Sequence, residues 1–181
     1  MKAYIVPDWF TMIAGLVIFQ RQPEPRVILG LRSDRAEAGK WCLPTGLGAI
    51  RRDITTALAE KAPESLKNPM PVIRSMSKRY QQAFLGPAGF ALAEARWYVE
   101  LPLDIKIEQL MPLKPICQLV NDSFLAKIYF AFEWQADEPP KPAETKWPFV
   151  EDRFFSREEL KGVTVAFGCD ADLEDVFWPY Y

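Results

Sequence analysis

The stretch that decides the fold of this chain is ALAEARWYVELPLDIKIEQL, residues 91–110. Apolar side chains recur at three- and four-residue spacing within residues 90–100, which predicts a helix with one apolar face. Pro102 ends that helix, and the alternation in LDIKIEQL predicts a half-buried strand over residues 103–110. The stretch therefore predicts a helix, a turn and a strand in direct succession.

Strand patterns flank this stretch on both sides. Two branched, apolar runs separated by a proline-bearing turn precede it, at residues 10–19 and 26–33. Three more runs of strand character follow it, at residues 116–120, 124–134 and 150–156. Ser156 and Glu159 have the spacing of a capping box, which predicts a short helix, and residues 170–178 predict a final helix.

Two segments interrupt this pattern. Residues 34–48 indicate a glycine-bearing loop with one short apolar element around Trp41. Residues 50–87 indicate an insertion that begins with a short helix over residues 54–62. Within residues 51–79, seven basic residues stand against three acidic ones. This local basic excess fits either a surface that faces an anion or a solvated helical excursion.

The composition excludes several classes of protein. The chain has 181 residues, 49% of them hydrophobic, which is sufficient for one domain with a buried core. A net charge of -2 argues against general binding to nucleic acid or to an anionic membrane. The three cysteines are far apart and odd in number, which predicts reduced thiols and a cytoplasmic location. The absence of histidine excludes Ser-His and Cys-His catalysis and histidine metal sites.

The order and spacing of these elements resemble the Nudix hydrolase superfamily. Four phrases carry the resemblance: RVILGLRSDRAEAGKWCLPTG, ELPLDIKIEQL, VEDRFFSREEL and AFGCDADLEDVF. The first phrase is similar to that family's second strand and the loop after it. The second is similar to the end of its signature helix and the next strand. The last two are similar to its closing strand with a short helix, and to its terminal helix. The resemblance implies an α+β fold, a Nudix-like α/β/α sandwich with a mixed β-sheet. It further implies a single domain over residues 1–181 with an inserted helical segment at about residues 50–87.

The family's signature motif is G-x5-E-x7-R-E-U-x-E-E-x-G-U, where U is a bulky apolar residue. Glutamates three and four residues apart share one helical face and converge on magnesium or manganese. Gly46 matches the opening glycine, and an insertion then places residues 95–103 on R-E-U-x-E-E-x-G-U. In this registration Arg96 and Val99 replace two glutamates, and Glu100 remains. A second registration, on residues 54–66, offers only two acids with a proline between them.

These substitutions predict that the helix which binds a metal ion in the family has lost that ability in this chain. The electrostatic repulsion between a guanidinium and a divalent ion about 5 Å away is roughly 6 to 7 kcal/mol at an effective dielectric of about 20. Arg96 and Glu100 are four residues apart and are expected to pair with each other. Glu94 lies about 120° around the helix from Glu100 and is not expected to share an ion with it. Magnesium or manganese would be required only if the chain is catalytically active.

The resemblance also implies residues for a catalytic site and for a small phosphorylated ligand. Catalysis would fall to Glu100, as metal ligand, with Glu151 and Asp152 as relocated acids. The ligand would contact Arg32, Gly46, Arg51, Arg52, Arg96 and Tyr98. For Arg32 a structural salt bridge, and for the arginine pair simple solvation, remain open alternatives. Trp41 and the C-terminal FWPYY either stack on a base or pack in the core.

Three functional hypotheses follow. The first is a module that binds a nucleotide or another phosphorylated metabolite with weak or no hydrolysis. The second is an active pyrophosphohydrolase of nucleoside diphosphate derivatives that uses relocated carboxylates. The third is a protein-interaction role in which the insertion covers the cleft. A homodimer is also expected to be possible, through exposed strand around residues 129–134.

Overall fold

The structure is a computed structural model that describes residues 9–33, 37–51, 78–120, 123–144 and 149–181. Within these ranges the chain forms one mixed β-sheet of eight strands: β1 Trp9–Gln20, β2 Arg26–Arg32, β3 Trp41–Cys42, β4 Thr45–Arg51, β5 Met111–Pro112, β6 Ile116–Val120, β7 Ser123–Glu133 and β8 Phe149–Ser156. The described α-helices are α1 Lys78–Tyr98, α2 Arg157–Leu160 and α3 Cys169–Val176. Two 3-10 turns lie at Ile107–Gln109 and Trp178–Tyr180.

The centre of the sheet is the parallel pairing of β1 with β7, which extends from Thr11 opposite Leu125 to Phe19 opposite Glu133. Two strands pair with successive parts of the other edge of β1. β4 is antiparallel to its first half, and β2 is antiparallel to its last two residues. β2 then diverges from β1 and pairs with β3 and β8. This divergence leaves a gap between the end of β2 and the start of β4.

Helices cover both faces of the sheet. Ile128 and Phe130 of β7 pack with Phe90 of α1. Lys127, which lies next to Ile128 on the same strand, instead contacts Asp172 of α3. Because neighbouring residues on a strand point to opposite faces, α1 and α3 lie on opposite sides of the sheet. The result is a three-layer α/β/α arrangement.

Most of the strands and helices predicted from the sequence are confirmed. The runs at residues 10–19 and 26–33 form β1 and β2, and the runs at residues 116–120 and 124–134 form the antiparallel pair β6 and β7. The capping box at the start of α2 is present. The Glu159 amide donates to Ser156 Oγ at 3.3 Å, and the Ser156 amide donates to Glu159 Oε2 at 2.8 Å.

The predicted strand over residues 103–110 is wrong. The chain instead forms a turn and then the 3-10 turn Ile107–Gln109, and strand pairing resumes only in β5. The Arg96 guanidinium donates to the carbonyls of Pro102 at 2.9 Å and Leu103 at 3.2 Å. These bonds curl the segment back onto the C-terminal end of α1, so the alternating sequence does not extend into a strand.

The start of α1 and the strand β4 were both missed. Residues 45–51 belong to the predicted loop and insertion but form β4, whose glycine-rich sequence lacks the branched residues typical of strands. α1 begins at Lys78 rather than near residue 90, and it bends at Gly86, which has φ 62°. The predicted insertion at residues 50–87 therefore contains ends of described elements, while its predicted helix over residues 54–62 lies outside the described residues.

The aromatic residues at the C-terminus pack in the core, except for Tyr180, which is 63% exposed. Phe177 is buried and lies edge-on to Phe19 and face-to-face with Tyr181. Trp41 lies edge-on to Phe155, with 4.7 Å between ring centroids. Of the two alternatives for these rings, packing in the core is therefore the observed one.

The strand proposed as a dimer edge is partly internal to the sheet. β7 pairs with β1 on one side, and on the other side Phe130 and Ala131 pair with β5 while Lys127 pairs with β6. The proposed edge is therefore already occupied at Phe130 and Ala131. A homodimer stays a prediction.

Gly30 provides a test of the packing between β8 and α1. A Cβ atom on Gly30 would lie 1.7 Å from Phe149 Cδ2, and the Phe149 ring stacks on Tyr98 of α1. Gly30→Ala is expected to destabilise the fold by about 1–3 kcal/mol because the ring must move. Urea unfolding measures this, with Gly162→Ala as the matched control, because its Cβ would meet only an ordinary contact at 3.5 Å. Equal midpoints for the two variants would contradict the packing described here.

Candidate functional site

A cleft of about 280 Å³ opens at the gap between the end of β2 and the start of β4. Its lining comes from elements that are distant in the sequence. These are the end of β2, the start of β4, the last turn of α1, the middle of β7 and the first turn of α3, and the residues include Arg32, Thr45, Gly46, Tyr98, Lys127 and Asp172. The cleft therefore exists only in the folded chain.

Helix α1 presents Glu94 and Tyr98 on the side that meets β4 and the cleft. A Cβ atom on Gly46 would lie 2.3 Å from Glu94 Cγ, so only glycine permits this approach of helix to strand. Tyr98 follows one helical turn later and stacks on Phe149, with 4.7 Å between ring centroids. Burial raises the pKa of Tyr98, and the Glu94 carboxyl group raises it further, whereas Arg32 lowers it.

Arg32 brings several groups of the cleft together. Its guanidinium lies close enough to Tyr98 to lower the pKa of that phenol, and it lies 4.9 Å from the centre of the Phe167 ring. It also approaches Cys42 Sγ at 3.9 Å. A guanidinium offers five donors in one plane, so Arg32 can hold these neighbours and still contact a planar anionic group.

Two buried thiols lie behind Arg32. Cys42 Sγ and Cys169 Sγ are 3.6 Å apart. The hydrogen bond from Cys169 is the main reason that the pKa of Cys42 is lowered, and the positive charge of Arg32 lowers it further. The same hydrogen bond and burial raise the pKa of Cys169 well above its ordinary value. The thiols are free, as the sequence predicts, and Cys117 is exposed elsewhere.

A buried ion pair closes the opposite side of the cleft. Lys127 Nζ donates to both oxygens of Asp172, at 2.8 and 2.9 Å, and the Tyr129 hydroxyl donates to Oδ2 at 2.6 Å. Burial is the main cause of a strongly raised pKa for Tyr129. This network joins α3 to β7, and it neutralises Lys127 in a place where an unpaired ammonium would be costly.

Comparison with known proteins rests on the shape of the chain, since no family model and no curated protein matches its sequence. The MutT NUDIX hydrolase of Burkholderia pseudomallei is 15% identical, with 90% of this chain and 95% of that chain covered and a TM-score of 0.52. The NUDIX domain of Shewanella oneidensis NrtR, solved with ADP ribose, is 9% identical, with coverage of 91% and 86% and a TM-score of 0.51. The chain has the Nudix fold.

A further similar structure is much longer than this chain. The chain spans 43% of a MutT/nudix family protein from Enterococcus faecalis, at 14% identity and a TM-score of 0.47.

The Nudix-fold cleft gathers three of the residues predicted to bind ligand, namely Arg32, Gly46 and Tyr98. Arg51 is the last residue of β4, and its side chain lies outside the described part of the structure. Arg52 lies outside the described residues altogether. The alternatives left open for these two arginines stay open.

Arg96 and Glu100 lie away from the cleft. Arg96 donates to backbone carbonyls after α1, and burial lowers its pKa. Glu100 is exposed, and its amide donates to the Lys141 carbonyl at 2.7 Å. The predicted ion pair between Arg96 and Glu100 is wrong, because the guanidinium is engaged by carbonyls instead.

The two relocated acids lie on β8. Glu151 is exposed. Both carboxyl oxygens of Asp152 are buried without a hydrogen-bond partner, and burial, with a contribution from Glu151, raises its pKa to about 8. Neither residue lines the cleft. Within the described ranges, no group of three or more acidic, cysteine or histidine side chains is placed to hold a metal ion.

Several residues of the site were not predicted from the sequence, among them Glu94, Lys127, Phe167 and Asp172. The sequence pattern could have identified Lys127, a charged residue inside an apolar strand, and Asp172, a charged residue on the apolar side of a helix. Glu94 was not predicted because its position on the helix was compared with that of Glu100 alone. No described helix is both long and apolar enough to cross a membrane.

The raised pKa of Asp152 has a measurable consequence for stability. Its folded value of about 8 lies above the ordinary value of 3.8, so the folded chain holds the proton more tightly. The resulting stability is fully present below the ordinary pKa and is lost as the pH rises toward 8. Asp152→Asn keeps a neutral side chain at every pH. It is expected to abolish this loss, which we place at about 1–3 kcal/mol.

Urea unfolding at pH 5 and pH 9 checks this expectation. The wild-type chain should lose more stability than Asp152→Asn between the two values. Asp137→Asn, at an exposed position in a loop, serves as the control and should follow the wild type. Parallel curves for the wild type and Asp152→Asn would contradict the burial of an unpaired acid.

Proposed function

We propose that this Nudix-fold chain binds a nucleotide derivative in the cleft, with weak or no hydrolysis. The observation that carries the proposal is that Arg32 of β2 and Tyr98 of α1 line the same cleft, because they place a guanidinium and a phenol where a Nudix hydrolase would need carboxylates. Donors of this kind suit the oxygens of a phosphate or diphosphate. The rest of the cleft supplies aromatic surface for the remainder of the ligand.

Burial supports a registration of the signature motif that is shifted by two residues from the one the sequence suggested. The motif needs buried apolar residues at its two U positions. The original registration puts Trp97 and Leu103 there, and these are 43% and 89% exposed. The shifted registration puts Ala95 and Leu101 there, and these are 0% and 7% exposed, although Ala95 is small where the motif has a bulky residue.

In the shifted registration Glu94 is the first motif glutamate. Trp97 and Tyr98 then replace the second and third. This places the retained glutamate against Gly46, the residue that matches the opening glycine of the motif. The count of glutamates is unchanged, since one of three is kept, but the residue that is kept differs.

A divalent cation does not fit this set of residues. Glu94 is the single carboxylate that the shifted motif retains, and a phenol replaces its partner one turn away. Arg32 adds a positive charge to the same cleft. Magnesium and manganese are therefore not assigned to the cleft, and no hydrolytic step through a metal is derived.

The proposed ligand class is a nucleoside diphosphate derivative. The similar NrtR domain was solved with ADP ribose, which contains a base, two riboses and a diphosphate. In this chain Arg32 would hold a phosphate oxygen, with Tyr98 fixing the guanidinium in place. This assignment rests on the cleft chemistry, since a shared fold alone does not transfer a ligand.

Calorimetry with ADP ribose tests the proposal. The wild-type chain should bind without added metal and with little change when magnesium or manganese is supplied. Arg32→Gln should weaken binding roughly 10- to 150-fold, since it removes a charge-assisted hydrogen bond. Lys141→Gln, at an exposed position away from the cleft, is the control. Metal-dependent release of phosphate products would instead favour the alternative, an active pyrophosphohydrolase with relocated carboxylates.

The shifted registration makes a separate prediction. Trp97→Glu with Tyr98→Glu would restore glutamates three and four residues after Glu94, on one helical face. The double variant is expected to gain binding of manganese at millimolar concentration or tighter, measured by calorimetry, whereas the wild type should show none. Arg96→Glu is the control on the same helix, at a position that faces away from the cleft. Gain of metal by the control, or by neither variant once folding is verified, would contradict this registration.

A further inference from the structure

Phe167 occupies an unusual position at the cleft. It lines the cleft and remains 53% exposed, although large aromatic side chains are usually buried. The Arg32 guanidinium lies 4.9 Å from its ring centre. An exposed ring that is oriented by a cation and faces a cleft is a surface for stacking.

The backbone of Phe167 is strained. Its φ is 56°, a left-handed conformation that is an outlier for a bulky side chain. Gly168, which follows, has φ 69°. A strained backbone conformation persists when the contacts of neighbouring residues hold it in place, and such conformations are concentrated at ligand sites.

The residues around Phe167 hold it in this conformation. Ala166 is buried, and its amide donates to the Trp41 carbonyl at 2.8 Å. On the other side Cys169 is buried and begins α3, and the Asp172 amide donates to the Gly168 carbonyl at 3.0 Å. The exposed ring therefore projects from two anchored neighbours, and burial of the ring contributes little to holding the corner.

From these observations we infer that Phe167 is the stacking platform for the nucleobase of the ligand. The inference rests on the proposed function and adds the residue that distinguishes a base-containing ligand from a bare sugar phosphate. Arg32 contacts the same ring and lines the same cleft, so a ligand that meets both needs an anionic group beside a flat ring. A nucleotide has this arrangement. Stacking tolerates any base, so Phe167 would select for the presence of a base and leave its identity to other contacts.

The test compares AMP with ribose 5-phosphate, which lacks the base but keeps the sugar and the phosphate. The wild-type chain should bind AMP roughly 5- to 150-fold more tightly, measured by calorimetry. Phe167→Gly should abolish this preference, with a larger loss of affinity for AMP than for ribose 5-phosphate, because Arg32 also contacts the Phe167 ring. Phe167→Tyr keeps a ring and should retain the preference. Tyr180→Ala removes another exposed ring, away from the cleft, and should behave as the wild type.

The urea midpoint of Phe167→Gly gives a second test, because a stacking role and a purely structural role for Phe167 predict opposite changes in stability. Glycine adopts a φ of 56° without strain, so Phe167→Gly should unfold at an equal or higher urea concentration than the wild type. A residue kept for packing would lower that midpoint. Loss of base preference with no loss of stability is the expected combination.

The outcomes separate the inference from the proposed function. If the wild type binds AMP and ribose 5-phosphate equally, or if Phe167→Gly keeps the preference, the stacking role is overturned while phosphate binding in the cleft stands. A large loss of stability in Phe167→Gly also overturns it. If the wild type binds neither AMP nor ribose 5-phosphate nor ADP ribose, the proposed function falls, and the stacking role falls with it.

Discussion

The close contact between α1 and β4 is the constraint on which the site depends. The Glu94 side chain lies where a Cβ atom on Gly46 would be, so glycine at this position lets the helix lie close to the strand. A helix repeats every 3.6 residues, so the rotation that brings Glu94 against the strand also turns Tyr98 toward the cleft. Arg96 is about 200° around the helix from Glu94, and it points away. This rotation decides which residues of α1 meet the cleft, whereas Arg32 and Asp172 are placed by other elements.

The charges of the cleft are arranged in two different ways. Lys127 and Asp172 form a buried ion pair that joins α3 to β7, and removal of either partner would leave an uncompensated charge. Arg32 lies 4.9 Å from the centre of the Phe167 ring and lines the cleft beside Tyr98. The first arrangement stabilises the fold. The second places a cation on the wall of the cleft.

The sequence predicted the strands with branched, apolar residues and missed the one without them. β1, β2 and β7 follow the pattern of a half-buried or buried strand, and they formed as expected. β4 contains glycines, whose lack of a side chain weakens a strand prediction but allows α1 to approach. Residues 103–110 show the opposite case. Their sequence alternates as in a strand, but no strand forms there, because Arg96 donates hydrogen bonds to the carbonyls at the start of the segment.

The sequence by itself determined the Nudix-like order of elements, the absence of histidine chemistry and the presence of only two glutamates, Glu94 and Glu100, within residues 90–103, since these depend only on which residues occur and in what order. Only the tertiary structure decided which glutamate faces the cleft, because a shift of two residues turns a helix by about 200°. It also decided that Arg32, Tyr98, Phe167 and Asp172 meet at one cleft. They come from separate elements, and their proximity results from how β2 diverges from β1, which no local pattern encodes.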